Sequence, residues 1–407
     1  MKKHNLVLVA DRIIKGQSEM SRADLARETG LTRPTLSRIV TTMVDCGIVV
    51  EGDPIKSSGG RPAIPLKPAP YTYVSIGVEL NADRIDVCLM DLTGRVLAQR
   101  LQFADHRNLD PSELFSRLEN VISSIAVQVD SSRLTLVGVG VALPGLVDSE
   151  AGYLFTAPSL GWRNVELGEA LSGIKDRLGV PIFFENEAIF GSGYEYYRRL
   201  TEPETLHDFL YITGQAGISS ALVLDGLPRR GTHGWSAEIG HVCVMPDGPR
   251  CECGANGCLE AVSSRAAIME AAGFDRRGHL GLLTSALAQE RSAVQAVESA
   301  AAYLGMAISS AINMLDLQDV VLGGVFAELE DHIFPSLVQF VDKHALPARF
   351  SSVTITTSVV NKSPAARGGA WQALLHFISD PDKWSAESKK RLPYVFVEDT
   401  PTVYIEI

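Results

Sequence analysis

The sequence contains no apolar run of about 18 residues, the length a membrane-spanning helix needs, so no membrane span is expected. Its first ten residues hold two lysines and a short apolar stretch, then Asp11 and Arg12 follow at once. They lack the longer apolar core and small-residue cleavage site of a secretory leader, so the expected setting is cytoplasmic. Cysteine is scarce, 6 in 407 residues, and nothing marks the chain as secreted, which argues against a disulfide framework. Positive charge is also short: the net charge is −11. The deficit is uneven. Residues 1–70 hold 11 Lys plus Arg against 7 Asp plus Glu, a balance of +4, which leaves −15 on the rest. A basic head on an acidic body suggests that only the head meets a polyanion. What remains, 46% hydrophobic and 21% charged residues with 35 glycines, suits a soluble α/β protein of two or three domains.

Three of the six cysteines fall together. His241, Cys251, Cys253 and Cys258 lie within 18 residues. Four soft or borderline ligands are the number a tetrahedral structural zinc takes, leaving no open position for water. Gly254 and Gly257 allow the loop to fold back so that Cys253 and Cys258 face one ion. The other thiols, Cys46, Cys88 and Cys243, read as small buried apolar residues. Cys243, two residues from His241, stays open as an alternative ligand.

The segment Glu238-Ile-Gly-His241, continued by Cys251-x-Cys-Gly-x-x-Gly-Cys-Leu-Glu260, resembles the signature of the ROK family, which contains sugar kinases and sugar-responsive repressors. The resemblance covers about residues 73–378 and implies two actin-like, ribonuclease-H-like α/β lobes with ligand in the cleft between them. It also implies that Asn186, Glu187, Glu238, His241, Glu260 and Gly145 surround a sugar. Carboxylates and amides suit a polyol because they accept from, or bridge, adjacent hydroxyls. Trp162 is a second candidate, as a stacking surface for the sugar ring or as ordinary packing.

The N-terminal region has its own pattern. Residues 4–15 read as a helix. Ser21 and Asp24 form a capping-box-like start, and Gly30 makes a turn. Thr32 and Pro34 then open a helix to Cys46 with Leu36, Ile39, Val40 and Met43 as its apolar stripe. That is helix-turn-helix order, and the strand Ile48–Glu51 makes it winged. The opposite face of the second helix shows Arg33, Thr35, Ser37, Arg38 and Thr41, side chains suited to base edges and phosphates of double-stranded DNA. Ser57-Ser-Gly-Gly-Arg61-Pro62 reads as a linker that carries Arg61 into a narrow minor groove.

The expected organisation is therefore a head at 1–56, a Gly/Pro-rich linker at 57–72, lobes at 73–200 and 201–380, and a tail at 381–407 without an assigned role. In each lobe three strands come first. They are Tyr73–Val78, Ile85–Asp91 and Val96–Phe103, then Phe209–Thr213, Ser219–Leu224 and Ile239–Val244. Helices are expected at 111–128, 187–199, 263–272, 280–289, 292–314, 327–343 and 365–378.

Which branch of the family the chain resembles is decided at the phosphate loops. Kinases of the family carry Asp-x-Gly-Gly-Thr-Lys after the first strand, where this chain has Glu79-Leu-Asn-Ala-Asp83. Their second loop, Gly-Thr-Gly-x-Gly-Gly, corresponds to Thr213-Gly-Gln-Ala-Gly217-Ile-Ser219-Ser220. Their catalytic Asp follows an Asn, and here the pair is Asn186-Glu187. Backbone N–H groups of glycine turns cradle phosphate, and a misplaced base loses rate steeply. The three departures together imply lost catalysis. The expected function is a sugar-responsive transcriptional regulator that binds a palindromic operator as a homodimer or dimer of dimers, with a structural Zn2+ and a monosaccharide or sugar phosphate as effector. An active zinc-containing sugar kinase with a DNA-binding head, and a regulator answering a protein partner, are the alternatives.

Overall fold

The computed structural model describes residues 3–16, 20–54, 63–132, 134–200, 206–384 and 404–406. The head comprises α1 (Lys3–Ile14), β1 (Met20–Ser21), α2 (Arg22–Thr29), α3 (Arg33–Asp45), β2 (Val49–Glu51) and β3 (Pro65–Pro68). Ser21 and Asp24 form the reciprocal capping box, Gly30 ends α2 at φ 69°, and the Thr32 hydroxyl accepts from the Thr35 N–H at the start of α3. The wing is a three-stranded sheet in the order β1-β3-β2. Part of the expected linker, 57–72, is thus a central wing strand. Its prolines sit at the two ends, where a missing N–H is tolerated, and Leu66 between them enters the head's core.

The first lobe follows with β4 (Tyr73–Leu80), β5 (Arg84–Asp91), β6 (Val96–Phe103), α4 (Pro111–Ser132) and β7 (Thr135–Leu143). A small antiparallel sheet of β8 (Leu146–Asp148), β9 (Tyr153–Ala157) and β10 (Trp162–Glu166) comes next. Then come α5 (Leu167–Ala170), α6 (Ser172–Leu178), β11 (Ile182–Asn186) and α7 (Glu187–Arg199). The second lobe has β12 (Phe209–Gly214), β13 (Ile218–Leu224), β14 (Leu227–Pro228), α8 (Leu259–Ser263), α9 (Arg265–Ala271), α10 (Leu280–Ala286), α11 (Arg291–Leu315), β15 (Asp319–Gly324), α12 (Val325–Glu328), α13 (Glu330–His344) and β16 (Thr354–Thr357). Helix α14 (Pro364–Ile378) and a short β17 (Tyr404–Glu406), parallel to β6 at the sheet edge, end the described chain.

The main sheets repeat one plan. The first runs β11-β7-β4-β5-β6-β17 and the second β14-β13-β12-β15-β16. In each, an antiparallel meander supplies one side, and two strands parallel to its first strand supply the other. The two closing helices are exchanged. Helix α7, at the end of the first unit, packs on β12 and β13 of the second lobe. Helix α14, at the end of the second, packs on β4 and β7 of the first, and the two helices pack on each other. A single boundary at residue 200 therefore does not separate the lobes.

That exchange needs backbone-level contact. A Cβ at Gly77 on β4 would lie closer than 3.0 Å to backbone atoms of Ala366 and Ala370. One at Gly140 would meet Gly369, and one at Gly368 would meet Phe190 of α7. The Gly368-Gly369 pair costs α14 about 1 kcal/mol per glycine in helix propensity and allows this approach on two sides. Gly77→Ala is expected to destabilise the protein by about 3 kcal/mol, since neither neighbour is a side chain that can swing away. Chemical denaturation at fixed temperature reads this directly.

The expected strand at Ile239–Val244 is instead a 3-10 turn, Ile239–His241, running into a loop. Its apolar alternation comes from Ile239 and Val244, which anchor the loop in the second lobe's core. The expected helix 263–272 is two helices divided at Ser264, and 327–343 is divided at Leu329. No helix among the described residues is long and apolar enough to cross a membrane.

The head is not held by a tether alone. Leu36, Ile39, Val40 and Met43 of α3 belong to one hydrophobic cluster with Tyr73, Tyr194 of α7, and Trp371, Leu374 and Phe377 of α14. The Tyr73 hydroxyl donates to the Cys46 carbonyl (2.9 Å). A cavity of about 760 Å³ opens beside this junction, between α1, α7 and α14.

Candidate functional site

His241 ends the 3-10 turn, and the chain then doubles back between Val242 and Cys258. Val244 and Met245 N–H groups donate to the Gly257 carbonyl, and Leu259 donates to Val242. Gly257 sits at φ 68°, where an added Cβ would collide with the Met245 carbonyl. Gly254 sits at φ 101°. These turns bring Nδ1 or Nε2 of His241 and the Sγ atoms of Cys251, Cys253 and Cys258 within 4.8 Å of one another. The Cys253–Cys258 sulfurs are 3.7 Å apart, and Cys251 Sγ is 3.8 Å from His241 Nδ1. A regular tetrahedron with zinc–sulfur bonds of about 2.3 Å has sulfur–sulfur edges of about 3.8 Å. The donor set and its spacing therefore fit a tetrahedral metal. Cys243 lies outside the cluster and is exposed, which removes it as a ligand and corrects its expected burial. Cys46 and Cys88 are buried.

The expected sugar-facing residues lie around this cluster and the lobe junction. Glu260 opens α8. Its Oε2 accepts from the Ile218 N–H (2.9 Å), and its Oε1 lies 3.7 Å from Cys251 Sγ. Glu238, one turn before His241, is pushed up to about 7 by burial and then by the charge of Glu260. Asn186 is the N-cap of α7. Its Oδ1 accepts from Ala188 N–H (2.8 Å), and its Nδ2 donates to the Gly145 carbonyl (3.0 Å). Gly145 needs its φ of 89° and the absence of a Cβ, because Thr156 lies against it.

Glu187 is the first residue of α7 and is buried. Its Oε1 accepts from the Ser219 hydroxyl (2.5 Å), and its Oε2 accepts from the Asn81 amide (3.1 Å). Burial, and after it the neighbouring Glu79, push its carboxyl up to about 7. Asn81 and Ser219 stand in the two segments that replace the kinases' glycine turns. Those two segments therefore meet at the Glu187 carboxylate.

Sequence reasoning did not find the arginines. Arg84 ion-pairs with Glu79 (2.6 Å) and lies 3.7 Å from Asp83, and it crosses to the second lobe to donate to Gln215 (3.1 Å). Arg265 reaches back to Asp83 (3.0 Å), Arg277 to Asp105 (2.7 Å) and Arg230 to Glu185 (2.6 Å). Glu79 and Asp83 are thus neutralised in place. The Arg265–Asp83 pair ties the two lobes together. Arg84 directly follows the quoted acidic segment and was the available signal.

Trp162 is a core residue. Its Nε1 donates to the Leu109 carbonyl (2.7 Å), and its ring packs on Phe115 (5.3 Å). Another aromatic group, Trp235, is edge-on to Phe155 (4.8 Å) and stacked on His233 (5.0 Å).

On the head, Arg33 and Arg38 are exposed on α3, and neither has an ion-pair partner among the described residues. Thr35 shares a hydrogen bond with Thr32 (2.9 Å) and Ser37 is half-buried, so the two arginines lead the exposed face. Arg61 lies outside the described residues.

Comparison with known proteins agrees with this division. The family model for the ROK family matches residues 75–375, and that for the IclR helix-turn-helix domain matches residues 11–53. The xylose repressor of Bacillus subtilis (strain 168) is 28% identical over 381 residues, covering 93% of this chain and 97% of that one. The DNA-binding transcriptional dual regulator NagC of Escherichia coli (strain K12) is 27% identical over 370 residues, covering 87% and 88%. Among solved structures, a ROK family transcriptional regulator homologous to the E. coli MLC protein superposes with a TM-score of 0.76 at 24% identity, covering 93% and 97%. A ROK hexokinase from Thermus thermophilus superposes with a TM-score of 0.59 at 24% identity, covering 74% and 98%.

Proposed function

Because the chain belongs to the ROK family, whose model matches residues 75–375, we propose that it is a sugar-responsive, DNA-binding transcriptional repressor. Its body has a sugar kinase's fold and no longer transfers phosphate. The xylose repressor and the dual regulator NagC match 93% and 87% of this chain, whereas the hexokinase matches 74% of it.

The observation that carries the reading is the route of α7. Glu187 at its first position is buried and held from both lobes, by Asn81 and by Ser219. Further along, Tyr194 enters the cluster shared with the head, and Tyr197 stacks on Trp371 (3.8 Å). A sugar that prefers one degree of lobe closure shifts that equilibrium by its differential affinity. Since α7 and α14 are exchanged between lobes, closure moves them against each other. Their junction underlies α3, so the setting of the head follows. Two chains would present two heads to the half-sites of a palindromic operator.

Two features support loss of phosphoryl transfer. Both carboxylate oxygens of Glu187 are engaged by Asn81 and Ser219, and Arg84 is engaged by Glu79. A base must reach a substrate hydroxyl, and a phosphate needs free donors. The Cys/His cluster would hold a structural zinc through His241, Cys251, Cys253 and Cys258. When bound, zinc supplies a fixed loop rather than chemistry at the sugar. The chain's own contribution is that Glu238 and Glu260, on either side of the ligand loop, are preset toward the cleft.

The test is a fluorescence titration of labelled palindromic DNA, selected by the protein from a random pool, at fixed salt. Arg38→Ala is expected to weaken binding by about 10- to 100-fold. A cognate sugar is expected to change wild-type affinity and to leave Glu238→Ala unchanged. Equal affinity for Arg38→Ala and wild type would mean that α3 is not the reading helix.

A further inference from the structure

Three carboxylates of the cleft, Glu187, Glu238 and Glu260, have no ion-pair partner among the described residues. The arginines that reach its walls are each engaged elsewhere: Arg84 by Glu79, Arg265 by Asp83 and Arg230 by Glu185. His241 faces Glu260, but its ring belongs to the Cys/His cluster. Of the neutral donors, the Trp235 Nε1–H is buried without a partner, and the others named here are engaged. The Ser219 hydroxyl and the Asn81 amide bind Glu187, and the Ile218 N–H binds Glu260. What the site offers a ligand is therefore unpaired negative charge without an unpaired cation, and one carboxylate oxygen, Glu79 Oε2, is buried with no hydrogen-bond partner in a residue only 2% exposed.

Carboxylates only accept, and sugar hydroxyls donate, so a neutral polyol complements this surface. A phosphate ester brings acceptor oxygens and about two negative charges to the same place. Resting on the sugar-sensor reading above, we propose that the effector is an unphosphorylated, uncharged sugar, that its phosphate ester is rejected, and that Glu187 is the residue that enforces the difference. Glu187 has this role because it cannot turn away: Asn81 on the first lobe and Ser219 on the second hold one oxygen each.

The experiment is isothermal titration of the full-length protein with a panel of pentoses, hexoses and aminosugars and their terminal phosphate esters. The panel includes D-xylose, D-glucose and N-acetyl-D-glucosamine with the corresponding 5- or 6-phosphates. A free sugar is expected to bind, with its ester weaker by ~100-fold or more, as expected for like charges a few ångströms apart in a partly desolvated site. Glu187→Gln keeps the shape of the side chain and removes its charge. It is expected to narrow that ratio ~10-fold, with an unchanged melting transition as the control for folding. An ester bound as tightly as its free sugar, or more tightly, overturns the proposal and leaves the sensor reading standing. An unaltered ratio in Glu187→Gln removes Glu187 from the discrimination. If no free sugar and no ester binds, the sensor reading fails, and this inference fails with it.

Discussion

Cys258→Ala is expected to strip the protein of its metal and to melt the second lobe early. Wild-type protein should carry about one zinc per chain, and the variant less than about a tenth of that, by elemental analysis after dialysis. The loop has little else to hold it. Between Val242 and Cys258, the buried residues are Val244, Cys251, Gly257 and Cys258, so two thiols and one apolar side chain anchor the segment. Gly254 and Gly257 hold positive φ values, and an unanchored chain would relax from these turns. Structural zinc contributes folding free energy directly, and removing one of four ligands forfeits most of it. A fall on the order of 10 °C in the second-lobe transition follows, if a few kcal/mol are lost. Cys243→Ala is the matched control. Its thiol is exposed and outside the cluster, so metal content and melting should not change. Wild-type protein that is fully stable and contains no metal would remove the zinc assignment.

The Cys/His cluster was legible because four candidate ligands at fixed spacing fall in one short loop, and the glycines between them explain how the loop closes. The head was legible for a similar reason. The Ser21–Asp24 box, the Gly30 turn and the Thr32 cap are local features, and each forms as its residues dictate. What stayed hidden depends on contacts between distant segments. Arg265 meets Asp83 from the opposite lobe, and no local pattern encodes that meeting. Wing strand β3 was read as linker because Pro65 and Pro68 argue against a strand when its partners β1 and β2 are not known. The exchange of α7 and α14 was hidden as well. Its trace in the sequence is the Gly368-Gly369 pair inside a helix, which gains its reason only from Gly140 and Phe190 lying opposite. Trp162 was offered as a stacking surface or as ordinary packing, and the burial of its ring and the Leu109 bond to its Nε1 give it the packing role.

No phosphoryl transfer from ATP to any hexose, pentose or aminosugar is expected from the wild-type protein. More tellingly, Glu187→Asp, which restores the side chain the family's kinases use as base, is expected not to produce it either. The wild-type carboxylate is clamped between Asn81 and Ser219. Shortening it by one methylene withdraws it from both and frees it to accept a proton from a sugar hydroxyl. The phosphate side is not repaired by that change. Asn81 and Ser219-Ser220 still stand where glycine N–H groups would cradle the polyphosphate, and the Ser220 hydroxyl still donates to the Ala237 carbonyl. Arg84, the cation nearest that region, stays bound to Glu79. Base and cradle act as a unit, so restoring one recovers little of the rate. The measurement is a coupled assay of ADP release over a sugar panel, for both proteins, with a family kinase as positive control. Wild-type turnover of even about 1 per second, the low end of ordinary enzymes, would overturn the non-catalytic reading. Turnover in Glu187→Asp alone would show that the extra methylene, and not the altered loops, is what silences the site.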